Sequence, residues 1–284
     1  MDGLCQHDLF HTRLSRHLCK QQRTVVYQFR DATQFNAFFR HYALRSLYRQ
    51  TKMTLAKQLP LQFEFTANKT FDDFFPDTHL EIINHLQKAS AGLGEQQVFL
   101  WGPSGIGKSH LLQACCHKAQ SLDFSSFYFS FSALELPDPE LLTGLEVFDV
   151  VCLDNIEQIA GNTAWESAFF NFFNRHRDQG HNLIMSADCA PNLIAIQLPD
   201  LKTRLNWGLT LKLQSLSDHD KIKALIFKAD KMGFQISTQV GHFLLSHYER
   251  DLPALWVLLT KLDQASLAAK RKLTIPFLKQ ILDQ

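Results

Sequence analysis

The stretch Gly102-Pro-Ser-Gly-Ile-Gly-Lys-Ser109 fills the pattern G-x-x-x-x-G-K-S completely, with an extra glycine, Gly105, inside the loop. Glycines let successive backbone N–H groups turn inward on phosphates. A lysine at position 108 places a positive charge on the β and γ phosphates, and the Ser109 hydroxyl can ligate Mg²⁺. The preceding residues 97–101, Gln-Val-Phe-Leu-Trp, form a short apolar strand candidate, and residues 110–119 form a helix candidate. A chance glycine turn lacks that strand–loop–helix setting. The expected nucleotide contacts are therefore Gly102, Pro103, Ser104, Gly105, Ile106, Gly107, Lys108 and Ser109.

Working outward, residues 126–131 read as the next strand. Residues 149–153 form a continuous apolar run that ends in Asp154, as a strand buried on both faces should look. Residues 165–177 read as an aromatic-rich helix, 182–186 as another buried strand and 209–213 as a last short one. The array is α/β, a parallel sheet with helices on its faces. After Leu216 the strands stop. Ser217 with Asp220 reads as a capping pair that opens a helix over 221–232, which Gly233 closes. Helical patterns over 239–247, 253–269 and 275–282, the last opened by Thr274 and Pro276, complete an all-helical lid.

Asp154 sits where a P-loop fold keeps the carboxylate that holds the metal, so the Mg²⁺ candidates are Ser109 and Asp154. The next residue is Asn155, an amide where many such proteins carry a second acid, and an amide cannot accept a proton; weak intrinsic hydrolysis is expected. Asp188 follows the strand over 182–186. It is either ordinary strand-end chemistry or a polar group near the γ phosphate. Arg204, in Leu198-Pro-Asp-Leu-Lys-Thr-Arg-Leu-Asn-Trp-Gly208, is either a solvated charge or, in an oligomer-forming ATPase, an arginine finger. Gln58-Leu-Pro-Leu-Gln-Phe63 alternates apolar residues and has no room for a helix before Pro60. It reads equally as an edge strand or as a linear motif, with Gln58, Leu59, Leu61 and Phe63 meeting a groove on a partner.

Composition narrows the remaining classes. The chain has 284 residues and is 45% hydrophobic, enough for one medium domain and a smaller one. Its net charge of +1 hides nine Lys/Arg against three Asp and no Glu through Lys52, which leaves the rest acidic. That basic segment is a presequence, a nucleic-acid-binding arm or upstream sequence joined by a misassigned start ahead of Met53; the last is favoured. Six cysteines show no C-x-x-C pair, as in a reducing, cytoplasmic setting, and thirteen histidines show no H-E-x-x-H spacing, so no structural metal is expected. No apolar run is long enough to span a bilayer, so no membrane contact is expected.

Together these residues resemble the AAA+ ATPases closest to the bacterial replication initiator DnaA, and within them the Hda type, the regulatory inactivators of DnaA. The resemblance rests on Thr70-Phe-Asp-Asp-Phe74, Gly102 to Ser109, Cys152-Leu-Asp-Asn-Ile-Glu157, Leu198 to Gly208 and Arg271-Lys-Leu-Thr-Ile-Pro-Phe277, and runs from about Met53 to the end. It implies an AAA+ P-loop core with a parallel β-sheet sandwiched by helices, followed by a small all-α lid. The implied division is an extension over 1–52, a clamp motif and linker over 53–66, a core over 67–214 and a lid over 215–284. It also implies that Gln58 to Phe63 docks on the β sliding clamp, reaching DNA indirectly, and that Asp188 is sensor 1. Arg204 is implied to act in trans on ATP held by DnaA. An adenine nucleotide, ADP above all, is the implied cofactor, with Mg²⁺ and a homo-oligomer both compatible. One departure stands out: Pro253 falls where the family has its sensor 2 arginine, and Arg250 nearby is expected to face another way. A self-sufficient AAA+ loader or remodeller and a DNA-binding initiator are the competing readings. Asn155 argues against the first and the near-neutral to acidic core against the second.

Overall fold

The computed structural model describes residues 69–133 and 138–269, with Pro276 and Leu278. The motif over 58–63 and the segment 1–52 lie outside the described residues. Five parallel strands form one sheet in the order β2-β3-β4-β1-β5: β1 Gln97–Trp101, β2 Ser126–Ser130, β3 Val150–Asp154, β4 Asn182–Ala187 and β5 Leu209–Lys212. Every residue of β3 and β4 is buried, as expected for central strands covered on both faces, whereas edge strands β2 and β5 alternate.

Helices α1 Leu80–Ser90 and α2 Lys108–Ser121 cover one face, meeting Val98, Leu100, Cys152 and Ile184. The other face is aromatic. Helix α3 Thr163–Asp178 packs Trp165, Phe169, Phe172 and Phe173 against Phe99, Phe129, Leu153 and Met185. Cys115, Cys116 and Cys152 are buried on the first face, beside α1 and α2, as small apolar groups. The short α4 Pro199–Leu205 opens on a proline, whose fixed φ suits a first turn.

Beyond β5 the chain forms α5 Asp218–Lys231, α6 Thr238–His247 and α7 Leu252–Ala269, with their own apolar cluster of Ile222, Leu225, Leu244, Leu259 and Leu262. Ser217 caps α5 by accepting from the Asp220 N–H at 3.2 Å, and its hydroxyl donates to the Asp220 carboxylate at 2.6 Å. The expected strand and helix positions up to residue 269 hold to within a residue or three, and the helix expected over 275–282 lies outside the described residues except for Pro276 and Leu278. Asp154 closes β3 from inside the strand, and α2 begins at Lys108, so that the lysine and serine of the motif form its first turn. No helix among the described residues is long and apolar enough to cross a membrane.

Candidate nucleotide site

The loop between β1 and α2 is shaped by close approach. Gly107 has φ +109°, and a Cβ there would lie 2.7 Å from the Phe74 ring. Gly105 has φ +75°, and its Cβ would lie 2.9 Å from Pro253. A side chain at either position would be strained by backbone and by contact.

Lys108 is 4% exposed, and three acceptors surround its ammonium: the Gly102 carbonyl at 2.6 Å, the Pro103 carbonyl at 3.0 Å and Asp188 Oδ1 at 2.7 Å. The lysine thus has its three protons satisfied, and a phosphate would have to displace one acceptor. Asp188 follows β4, which pairs with both β1 and β3, so the sheet brings it to the lysine.

Asp154 is fully buried. Its Oδ2 accepts from the Tyr128 hydroxyl at 2.8 Å and its Oδ1 from Ser186 Oγ. The Tyr128 hydroxyl also lies near Ser109, so it stands close to the two residues expected to hold Mg²⁺; burial, then Asp154, holds the phenol protonated. Asn155 adopts the left-handed conformation at φ +59°, which asparagine tolerates. Its Oδ1 accepts from Ser130 at 3.1 Å and Ser132 at 3.2 Å. The amide is occupied as an acceptor.

Residues 69–76 fold over the start of α2. The His110 ring shares a hydrogen bond of 2.8 Å with the Thr70 carbonyl and lies tilted against Phe74 with centroids 5.5 Å apart; burial pushes its pKa down. Lys69 interacts with the Asp154 charge, and burial lowers its pKa against that pull. Between this strap, the loop and the lid lies a cavity of about 450 Å³, lined by Lys69, Phe74, Phe75, Lys108, Phe227 and Trp256 among others. Phe75 meets Phe227 of α5 at 5.8 Å, tying strap to lid. Aromatic walls beside a phosphate-type loop suit a nucleoside.

Pro253 stands in the first turn of α7, against the loop itself. Arg250 turns aside, donating to the Leu245 carbonyl at 3.1 Å and pairing with Asp218 at 3.3 Å.

Arg204 lies elsewhere, half-buried near the end of α4. Its guanidinium sits 4.9 Å from the Phe170 and Trp207 ring centroids and 5.8 Å from that of Phe173. It makes no ion pair among the described residues, so aromatic faces hold it. The approach to α4 is fixed by buried Glu166, whose carboxylate accepts from the N–H groups of Gly161 at 2.8 Å, Gln197 at 3.0 Å and Leu198 at 2.7 Å.

Tyr128, Lys69, Glu157 and Glu166 were not visible as functional residues in the sequence. Only Glu157 carried a signal, as a carboxylate three residues past Asp154.

Residues 218–282 match the family model described as the Hda lid domain, and residues 140–212 that of the bacterial DnaA ATPase domain. An uncharacterized protein of Haemophilus influenzae is 39% identical over 228 residues, covering 80% of this chain and 99% of that one. Domain III of Thermotoga maritima DnaA is similar in fold, with a TM-score of 0.60 at 19% identity over 76% of this chain and 96% of that one. AMPPCP-bound DnaA from Aquifex aeolicus gives a TM-score of 0.58 at 20% identity, over 70% of this chain and 67% of that one.

Proposed function

This chain is a member of the Hda/DnaA-like family of AAA+ proteins, and on that premise we propose that it restrains the initiation of bacterial chromosome replication. An adenine nucleotide, ADP above all, binds residues 102–109 with Asp154 and Asp188 at its phosphate end. Ser109 and Asp154 are the residues that would hold Mg²⁺, a hard cation suited to their oxygens, and both stand close to the same Tyr128 hydroxyl. When bound, the ion would neutralise phosphate charge.

Arg204 acts in trans on ATP held by DnaA. The observation that carries this reading is that guanidinium, away from the chain's own cavity, propped on aromatic faces and free of any acidic partner among the described residues. Such a finger is worth roughly 10³ to 10⁵ in rate where it acts. Gln58, Leu59, Leu61 and Phe63 tether the protein to the β sliding clamp, and so to DNA indirectly. A homo-oligomer is compatible with this arrangement. Asn155, engaged by two serines, supports weak turnover of the chain's own nucleotide.

A pull-down on purified β clamp tests the replication reading, using the full chain, the chain starting at Met53 and a Gln58→Ala/Leu59→Ala variant. Both unmodified forms should bind and the variant should not. Binding by none of them would leave a P-loop protein of another partner, with a self-sufficient loader or remodeller next in line. That alternative requires hydrolysis by the chain alone that rises with its concentration and is lost in Lys108→Ala.

A further inference from the structure

Helix α4, which carries Arg204, is held at both ends. Its entry rests on buried Glu166, which accepts from the Gln197 and Leu198 N–H groups. Its exit rests on Gln97, the first residue of β1 and only 3% exposed. Gln97 Nε2 donates to the carbonyl of Arg204 itself at 3.0 Å and lies 3.4 Å from that of Leu205. The turn that follows is seated on the same residue: Gly208 has φ +73°, and a Cβ there would overlap the Gln97 carbonyl oxygen. Trp207, in that turn, supplies one of the rings on which the Arg204 guanidinium lies. The backbone of Arg204 and a ring beside its side chain therefore both lean on Gln97.

Stability does not account for this glutamine. Carbonyls only accept, so the two of α4 fix the amide with its NH₂ toward them and its Oε1 turned away. Oε1 is buried and finds no hydrogen-bond donor among the described residues, an arrangement that costs stability. The Arg204 carbonyl, meanwhile, already accepts from the Trp207 N–H at 3.0 Å, so the fold does not require a second donor there. What Gln97 adds is a fixed point: β1 is paired on both sides, with β4 and β5, whereas the local turn alone would move with α4.

We propose that Gln97 is a positioning residue for Arg204: its amide anchors the arginine's own carbonyl to the sheet and so fixes where the guanidinium stands when it enters a partner's site. The proposal rests on the proposed role of Arg204 and deepens it. Gln97 stands at the opposite end of β1 from the glycine loop, roughly 13 Å along the strand, so it does not touch the chain's own nucleotide site.

Single-turnover hydrolysis of ATP bound to DnaA, with clamp loaded on DNA, tests this when followed against the concentration of the full chain. Gln97→Met keeps the length of the side chain and removes both polar ends. The rate at saturation should fall about tenfold, within the hundredfold that a misplacement of about 1 Å costs, while the concentration for half the maximal rate stays within about twofold. The melting temperature of Gln97→Met should be no lower than that of the unmodified chain, because the orphaned oxygen leaves with the amide, and its nucleotide affinity should be unchanged. Gln97→Leu should repeat the pattern. An unchanged rate at saturation, a shift confined to the half-maximal concentration, or a loss of rate that only follows a lowered melting temperature in both variants overturns the proposal. If Arg204→Ala abolishes stimulation while Gln97→Met leaves it intact, the finger stands and only the role of Gln97 falls. Absence of stimulation by the unmodified chain overturns the role of Arg204, and this inference with it.

Discussion

The core wall of the cavity and its lid wall are built from different chemistry. On the core side Lys108 pairs with Asp188, and separately Asp154 accepts from Tyr128 and Ser186, two sets of hydrogen bonds at the ends of the strands beside the glycine loop. On the lid side Leu252, Pro253, Trp256 and Phe227 present apolar surface. The lid's Lys228 also lines the cavity, near enough to Asp73 of the strap to interact with its charge. The difference teaches how the proposed site would divide its work: the core would read phosphates, whereas the lid would meet the bulk of the nucleotide with apolar area. At position 253 a proline packs on Gly105, so that this residue itself brings no charge to the loop.

The largest expected effect bears on the core as a whole. His176 is buried against Phe172 and His181, and burial, then the His181 charge, lowers its pKa to about 4. Above pH 6.5 the imidazole is neutral in both folded and unfolded chains. As pH falls towards 4 the unfolded chain takes up a proton that the folded one resists, so stability is withdrawn by roughly 3 kcal/mol. Thermal melts between pH 7.5 and 4.5 should show the loss, and His176→Phe should flatten that part of the profile.

Lys108→Ala removes the one cation that the loop itself supplies. Nucleotide binding followed by calorimetry should weaken about a hundredfold or more, because the carboxylates around it are left unpaired. Retained affinity would mean that the lid, not the core, holds the phosphates.

Pro253→Arg should make the two walls alike. AMPPCP should bind roughly tenfold more tightly, the scale of one charge-assisted hydrogen bond, with ADP little changed. No gain would show that the start of α7 does not face the phosphate end. Smallest is Gly105→Ala, which meets both a positive φ and the Pro253 ring; chemical denaturation should register a loss of about 1 kcal/mol.

Much of the core was legible because its signals are local. Apolar runs gave β1, β3 and β4, the glycine motif gave the turn into α2, and Ser217 with Asp220 gave the start of α5. For Asp188 the residues alone left strand-end chemistry and a place near the phosphates both open, and its ion pair with Lys108 emerged only from the packing of β4 beside β1. What escaped depends on contacts between distant segments. Tyr128 looks like any aromatic on an edge strand until β2 lies beside β3 and its hydroxyl reaches Asp154. Glu166 looks like a solvated helix charge until the 197–198 turn folds onto it. Lys69 and Phe74 acquire a place only when the strap crosses α2. The aromatic seat of Arg204 needs α3 and α4 packed side by side.

The central claim is that the chain carries one site that binds nucleotide and one arginine that completes another protein's site. Single-turnover hydrolysis of ATP bound to purified DnaA, with clamp loaded on DNA and this chain added, tests it most directly. The unmodified chain should accelerate hydrolysis, and Arg204→Ala should lose about a thousandfold or more of any acceleration the finger supplies while still binding the clamp. Undiminished stimulation by Arg204→Ala, or no stimulation by the unmodified chain, would contradict the claim.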